Sequence, residues 1–366
     1  MLKTLWMAVF GVVVVSAALA TASAMVQSGA DRSADAGWQA LQAGDGDRAA
    51  ALFREALERN PRDPALHLGA GLASHLLGRE TDATQSLKRA LELEPKLVVA
   101  SLVLGLIQYQ SGDVDAAIRT YERALTYAPA NLELRGNLDR WRKEAELHQT
   151  LQQRNDGRFS IVFEGRSDQA LATRAIAVLD AAYWRIGKAI GGYPSDTISV
   201  TLYTEQQFRD LTRAPDWSNG LYDGRIRLPV RGASQNLKEF DRALNHELTH
   251  AMVTSLAPRG VPAWLHEGLA TYFEPQDPAA AAKLLKSAPV IPISKLPLDF
   301  TRLSDQQALV AYIESLVAAD VLMQRVGPRT AILLQALDAG QGFEQAFDQV
   351  GVPFADFQAD VTRRFK

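Results

Sequence analysis

The chain has 366 residues and a mass of 40.0 kDa, room for two domains and a short extra segment. Hydrophobic residues make up 47% and charged residues 22%, which excludes a wholly disordered chain. A formal net charge of −3 excludes a strong basic field for nucleic acid. The absence of cysteine excludes disulfides, thiolate zinc sites and Cys nucleophiles.

At the N-terminus, Lys3 precedes an apolar run over residues 5–20, and Ala22-Ser23-Ala24 has the small-residue pattern of a signal cleavage site. Residues 1–24 therefore read as a cleaved signal peptide or an uncleaved membrane anchor. A helix over the run reaches roughly 24 Å, short of the ~30 Å hydrocarbon core. Either way the rest of the chain is expected across a membrane, in the periplasm or cell envelope. Contact with the membrane is expected only through that N-terminal run.

A 34-residue period follows. Arg54-Glu55-Ala56-Leu57-Glu58-Arg59-Asn60-Pro61 recurs as Lys88-Arg89-Ala90-Leu91-Glu92-Leu93-Glu94-Pro95 and as Glu122-Arg123-Ala124-Leu125-Thr126-Tyr127-Ala128-Pro129. Gly44, Gly78 and Gly112 keep the same step. The pattern resembles the tetratricopeptide repeat, two antiparallel helices per unit. Each Gly falls where the first helix turns into the second, and each Pro ends the second. The Ala of each Ala-Leu pair permits close packing, and the Leu is expected to fill the seam. Residues 34–151 are read as an all-α solenoid of three repeats plus a capping helix over residues 132–151. Such a surface is expected to bind a protein partner. His67, His75 and His148 have unrelated spacings and read as ordinary helix residues.

Residues 152–158 are polar, contain Asp156-Gly157 and read as a linker. Residues 158–366 form the second domain. Phe159–Phe163, Ile198–Tyr203 and residues 225–230 have strand character, and residues 170–190, 205–211 and 237–256 helical character. The order points to a small sheet under a helical layer. Residues 225–230 are a candidate edge strand for an extended substrate. Trp184, Trp217 and Trp264 are expected in the core.

The last of those helices carries His246-Glu247-Leu248-Thr249-His250, an H-E-x-x-H sequence. Histidines at i and i+4 project from one face, which lets both bind one zinc at ~2.0–2.1 Å. Glu247 can then take a proton from water at the open coordination position. A catalytic zinc needs a third protein ligand. Glu267, on a second helix that starts near Pro262, can complete a His₂Glu set.

Here the chain resembles the gluzincin metallopeptidases, more narrowly the peptidase-MA-like bacterial domains, over residues 159–365. The quoted motifs are joined by Gly220-Leu221-Tyr222-Asp223-Gly224-Arg225-Ile226 and by the second-helix segment Trp264-Leu265-His266-Glu267-Gly268. The resemblance implies an α+β, zincin-like domain with a small sheet and an active-site helix. It implies Zn²⁺ held by His246, His250 and Glu267, with Glu247 as general base. It also implies that Tyr312 stabilises the oxyanion, with Tyr272 and Tyr222 as weaker alternatives. The family commonly has Asn where this chain has His266, which could be a rival ligand or a partner of one. Thr271, Glu274 and Asp241 are candidates to orient a zinc-bound histidine. The expected function is an exported zinc metallopeptidase that hydrolyses peptide or protein substrates. The alternative is an envelope scaffold or assembly factor whose peptidase-like domain is inactive or rarely used.

Overall fold

The computed structural model describes residues 32–165, 168–212, 219–230, 236–259, 261–274, 291–296, 300, 303 and 305–365. Residues 1–24, expected as signal or anchor, and Trp217 lie outside them. Among the described residues no helix is long and apolar enough to cross a membrane. The chain divides between residues 149 and 150 into two compact units.

The first unit is helical among the described residues. Three hairpins pair α1 (Arg32–Gln42) with α2 (Gly46–Arg59), α3 (Pro64–Leu76) with α4 (Glu80–Leu93), and α5 (Val98–Gln110) with α6 (Val114–Tyr127). Helix α7 (Leu132–His148) follows and ends three residues before the expected limit at 151. Asp45, Asp63, Asp113 and Asn131 cap α2, α3, α6 and α7, each side chain accepting a backbone N–H of the first turn. Gly44, Gly78 and Gly112 take φ of 76°, 64° and 89° at the hairpin turns, a left-handed conformation that favours glycine.

The seam differs in detail from the expectation. Ala56, Ala90 and Ala124 are buried, whereas Leu57, Leu91 and Leu125 are only partly buried, being rotated ~100° from the contact line. The seam is filled by Phe53, Leu87 and Tyr121, which also keep the 34-residue step. Each faces a glycine of the preceding helix, also in step: Gly37, Gly71 and Gly105. A Cβ would lie 3.0 Å from the Phe53 ring at Gly37, 2.7 Å from Leu87 at Gly71, and in collision with Tyr121 at Gly105. Tyr121 cannot yield easily, since its hydroxyl donates to Leu102 O at 3.0 Å and its ring packs on Trp141 of α7.

Among the described residues the second unit carries a five-stranded sheet in the order β1-β2-β3-β5-β4. The strands are β1 (Gln152–Asn155), β2 (Phe159–Phe163), β3 (Ile198–Tyr203), β4 (Leu221–Tyr222) and β5 (Ile226–Pro229). Strands β2, β3 and β5 are parallel, and β1 and β4 pair antiparallel at the two edges. Helices α8 (Gln169–Ile190), α9 (Glu205–Thr212), α10 (Leu237–Leu256), α11 (Ala263–Phe273) and α12 (Asp305–Arg325) are followed by α13 (Thr330–Asp338), α14 (Phe343–Gln349) and α15 (Phe354–Arg363). Helix α8 packs on β2 and α10, and α10 on β5 and α11. The architecture is α+β: a helical repeat region, then a mixed domain with a small sheet.

Three expectations change. Residues 152–155 of the expected linker form β1, whose exposed Gln-Gln-Arg-Asn carries no apolar alternation to mark a strand. β5 is flanked by β3 and β4, so the outer edge on this side is β4. Trp184 is 51% exposed, outside the core, with Arg158 over its ring and Tyr193 beside it. Trp264 is buried as expected, against Phe343 and Phe357.

On α12, Glu314 is fully buried and accepts the backbone N–H of Ile291 at 2.7 Å. Burial raises its carboxyl to about 7, against the opposing pull of that hydrogen bond.

Two outcomes follow for stability. Gly105→Ala should destabilise the repeat unit by about 1–2 kcal/mol, the overpacking outweighing the gain in helix propensity. Thermal unfolding of the variant checks this. Because folding raises the Glu314 pKa, stability should fall as pH rises from 4.5 to 7. Glu314→Gln keeps the acceptor for Ile291. Denaturant titrations at pH 5 and pH 8 should show wild type losing up to about 3 kcal/mol more than this variant.

Candidate metal centre

Helices α10 and α11 bring the chemistry together. Asn236 caps α10 through the N–H of Glu239, and Pro262 caps α11 without a side-chain bond. Helix α11 lies close to α12 because Gly268 leaves room for the carbonyl of Ser315, which a Cβ would strike. His246, Glu247 and His250 on α10 and Glu267 on α11 are all buried.

Two imidazole nitrogens and one carboxylate oxygen converge. His246 Nε2 is 3.1 Å from His250 Nε2, and Glu267 Oε2 lies 3.7 Å from the first and 3.8 Å from the second. A tetrahedral ion with bonds of ~2.0–2.1 Å holds its donors about 3.4 Å apart, so the set fits one such ion. Among the described residues this is the one group of three or more His, Asp or Glu side chains close enough to share a metal.

The far side of each imidazole is also fixed. His246 Nδ1–H donates to Glu274 Oε1 at 2.6 Å, which turns the Nε2 lone pair toward Glu267. Glu274 Oε2 accepts from Arg242 Nη1 at 3.1 Å. Arg242 also binds Glu239, which accepts from Asn219 Nδ2 at 2.8 Å. His250 Nδ1 stands 3.4 Å from His266 Nδ1. In the tautomer that frees His250 Nε2 for the shared point, His266 accepts the Nδ1 proton. His266 therefore lies behind His250 and outside the donor triangle. Of the three candidates for orienting a histidine, Glu274 takes the place at His246, and Asp241 instead pairs with Arg174. No sequence signal marked Arg242.

The Tyr312 hydroxyl bonds the Glu267 carboxylate, which places α12 at the site. Tyr222, the weaker alternative, bonds Thr254, and burial raises its hydroxyl to about 12. Tyr272 packs beside Phe273.

Burial dominates the electrostatics. It pushes Glu247 up to about 8, against the attraction of His246 and with added repulsion from Glu267 and Glu274. It lifts Glu267 to about 7, with His246 and the Tyr312 bond pulling the other way. Burial alone would lower His246, but Glu274 and the neighbouring carboxylates carry it to about 9. His250 is held well below the usual histidine range by burial and the other two imidazoles, and His266 is lowered to about 4 by burial. Glu247 Oε2 has no hydrogen-bond partner among the described residues. Three buried carboxyl groups thus crowd one another, an arrangement that a bound divalent cation would relieve.

Comparison with known proteins agrees with both units. Residues 34–98 and 100–131 match tetratricopeptide-repeat families, and residues 179–358 match the Peptidase MA superfamily. The chain carries tetratricopeptide repeats followed by a Peptidase MA superfamily domain. Curated relatives include interferon-induced protein with tetratricopeptide repeats 3 of Mus musculus, 30% identical over 28% of this chain and 29% of the relative. Another is Hsp70-Hsp90 organizing protein 2 of Arabidopsis thaliana, 28% identical over 22% of this chain and 14% of the relative. The chain thus matches less than a third of the length of either.

Proposed function

We propose that the chain is an exported, zinc-dependent metallopeptidase that hydrolyses peptide bonds, with its repeats holding a protein substrate or partner. The observation that carries this reading is the convergence of His246 Nε2, His250 Nε2 and Glu267 Oε2 on one buried point. Zinc held there would supply a Lewis acid for the substrate carbonyl and would acidify water.

The chain's own groups carry the remaining work. Glu247, with one carboxylate oxygen unpartnered among the described residues, accepts the proton of the attacking water and passes it to the leaving amine. Glu274, held by Arg242, fixes the His246 ring, and His266 supports His250. The Tyr312 hydroxyl, which bonds Glu267 in the resting site, is the proposed donor to the developing oxyanion, its proton turning from that carboxylate as charge builds on the substrate oxygen. Export is proposed from residues 1–24 alone.

A second reading, an assembly factor working through its repeats, is favoured by the Hsp70-Hsp90 organizing protein among the relatives. It expects Glu247→Gln to leave the cellular phenotype intact, whereas the peptidase reading expects that phenotype to be lost.

Purified wild type should contain one zinc per chain by elemental analysis, and Glu267→Gln should lose most of it. Glu247→Gln should keep the zinc yet lower peptide-library cleavage by about 100-fold or more. A metal-free wild type, or equal cleavage by Glu247→Gln, rejects the assignment. Glu274→Ala should weaken zinc binding by roughly 10–100-fold in competition with a chelator. Tyr312→Phe should lower kcat by about 100-fold with zinc retained.

A further inference from the structure

Gly220 stands at the entry to β4, directly against Glu247. A Cβ built on it would lie 2.6 Å from Glu247 Oε1, 2.9 Å from Cγ and 3.0 Å from Cδ. The Glu247 carboxyl therefore occupies the space that any side chain at residue 220 would take.

The backbone at this point has little freedom to retreat. On one side Asn219 Nδ2 donates to Glu239 Oε1 at 2.8 Å, and on the other Tyr222 bonds Thr254. Both partners belong to α10, the helix that carries Glu247. Strand β4 is also in register with β5, Leu221 opposite Arg227 and Tyr222 opposite Ile226. Arg227 is itself buried, paired with Asp223 at 3.0 Å and bonded to the Tyr203 hydroxyl at 2.9 Å. The strand is thus pinned to the helix at both ends of the Gly220 contact.

We propose that Gly220 is a positioning residue for Glu247: its missing side chain fixes where the carboxyl stands beside the His246, His250 and Glu267 donors. This rests on the peptidase reading above. With the backbone pinned, an added methyl group is accommodated by swinging the flexible end of Glu247 aside. That motion leaves the fold and the metal donors in place, while the proton acceptor moves. Displacement of a reacting group by about 1 Å costs on the order of 100-fold in rate.

The test compares wild type with Gly220→Ala. The variant should match wild type in zinc content and melting temperature. It should hold KM within about twofold and lose about 100-fold in kcat, the pattern of an interaction that acts only on the chemical step. In a Glu247→Gln background the proton acceptor is already gone, so residue 220 has nothing left to position. There Gly220→Ala should change kcat by less than about twofold. A crystal structure of Gly220→Ala should show the Glu247 carboxyl turned from residue 220 with the β4–β5 register kept. Unchanged kcat in Gly220→Ala, an equal loss in both backgrounds, or an unmoved carboxyl overturns the assignment while leaving an active, zinc-loaded wild type to support the peptidase reading. A wild type with neither zinc nor cleavage overturns both.

Discussion

The hydrogen bond from His246 Nδ1 to Glu274 Oε1 organises the pocket. It decides which nitrogen of His246 faces Glu267, and so decides that a donor triangle exists at all. Glu274 accepts most strongly as a carboxylate, and a buried carboxylate needs a counter-charge. Arg242 supplies it from the same helix as His246, one turn earlier. Glu239 and Asn219 extend the chain of contacts back to β4. A chain of polar contacts therefore runs from the entry to β4 through α10 to the imidazole, and each member orients the next.

Glycine recurs in both units wherever two elements must come closer than side chains permit. In the repeats, Gly37, Gly71 and Gly105 admit the large residue sixteen positions later, Phe53, Leu87 and Tyr121. In the mixed domain, Gly268 admits the Ser315 carbonyl and draws α12 onto α11, which puts Tyr312 at Glu267. Gly220 admits the Glu247 carboxyl. Close packing makes each of these positions intolerant of even one methyl group unless a neighbour can move. What separates them is whether the neighbour is a locked ring, a backbone carbonyl or the free end of a side chain.

The parts of this arrangement that were legible in the sequence share one property: they depend on spacing along a single helix or on a fixed period. His246 and His250 at i and i+4 had to share a face, and the turns at Gly44, Gly78 and Gly112 had to recur. Glu267 required a second helix, and its motif supplied one. Glu274, Thr271 and Asp241 could not be ranked from spacing, because the choice depended on how α11 ends against α10 and on Arg174 drawing Asp241 away. Arg242 carried no signal, since a charged residue on an amphipathic helix ordinarily faces water. Strand β1 was missed because its residues are all polar and its order comes from pairing with β2. Trp184 was misplaced because helical periodicity assigns a stripe without reporting what covers it.

Two buried glutamates near the donor triangle are chemically identical, yet their surroundings differentiate them. Glu267 receives a hydrogen bond from Tyr312 and stands within 4 Å of both imidazole Nε2 atoms. Those contacts favour its charged form and set one oxygen among the donors. Glu247 follows His246 in sequence, hence is turned ~100° about the helix and faces β4 instead. It meets the bare backbone of Gly220, and one of its oxygens has no partner among the described residues. Burial raises both carboxyls, but at Glu267 both His246 and the Tyr312 bond oppose it, whereas at Glu247 only His246 does. A carboxylate committed to donors suits a ligand, and one with an oxygen free of such contacts suits a proton carrier. In the proposed reaction the division of labour thus comes from which element each side chain faces, α12 for one and β4 for the other.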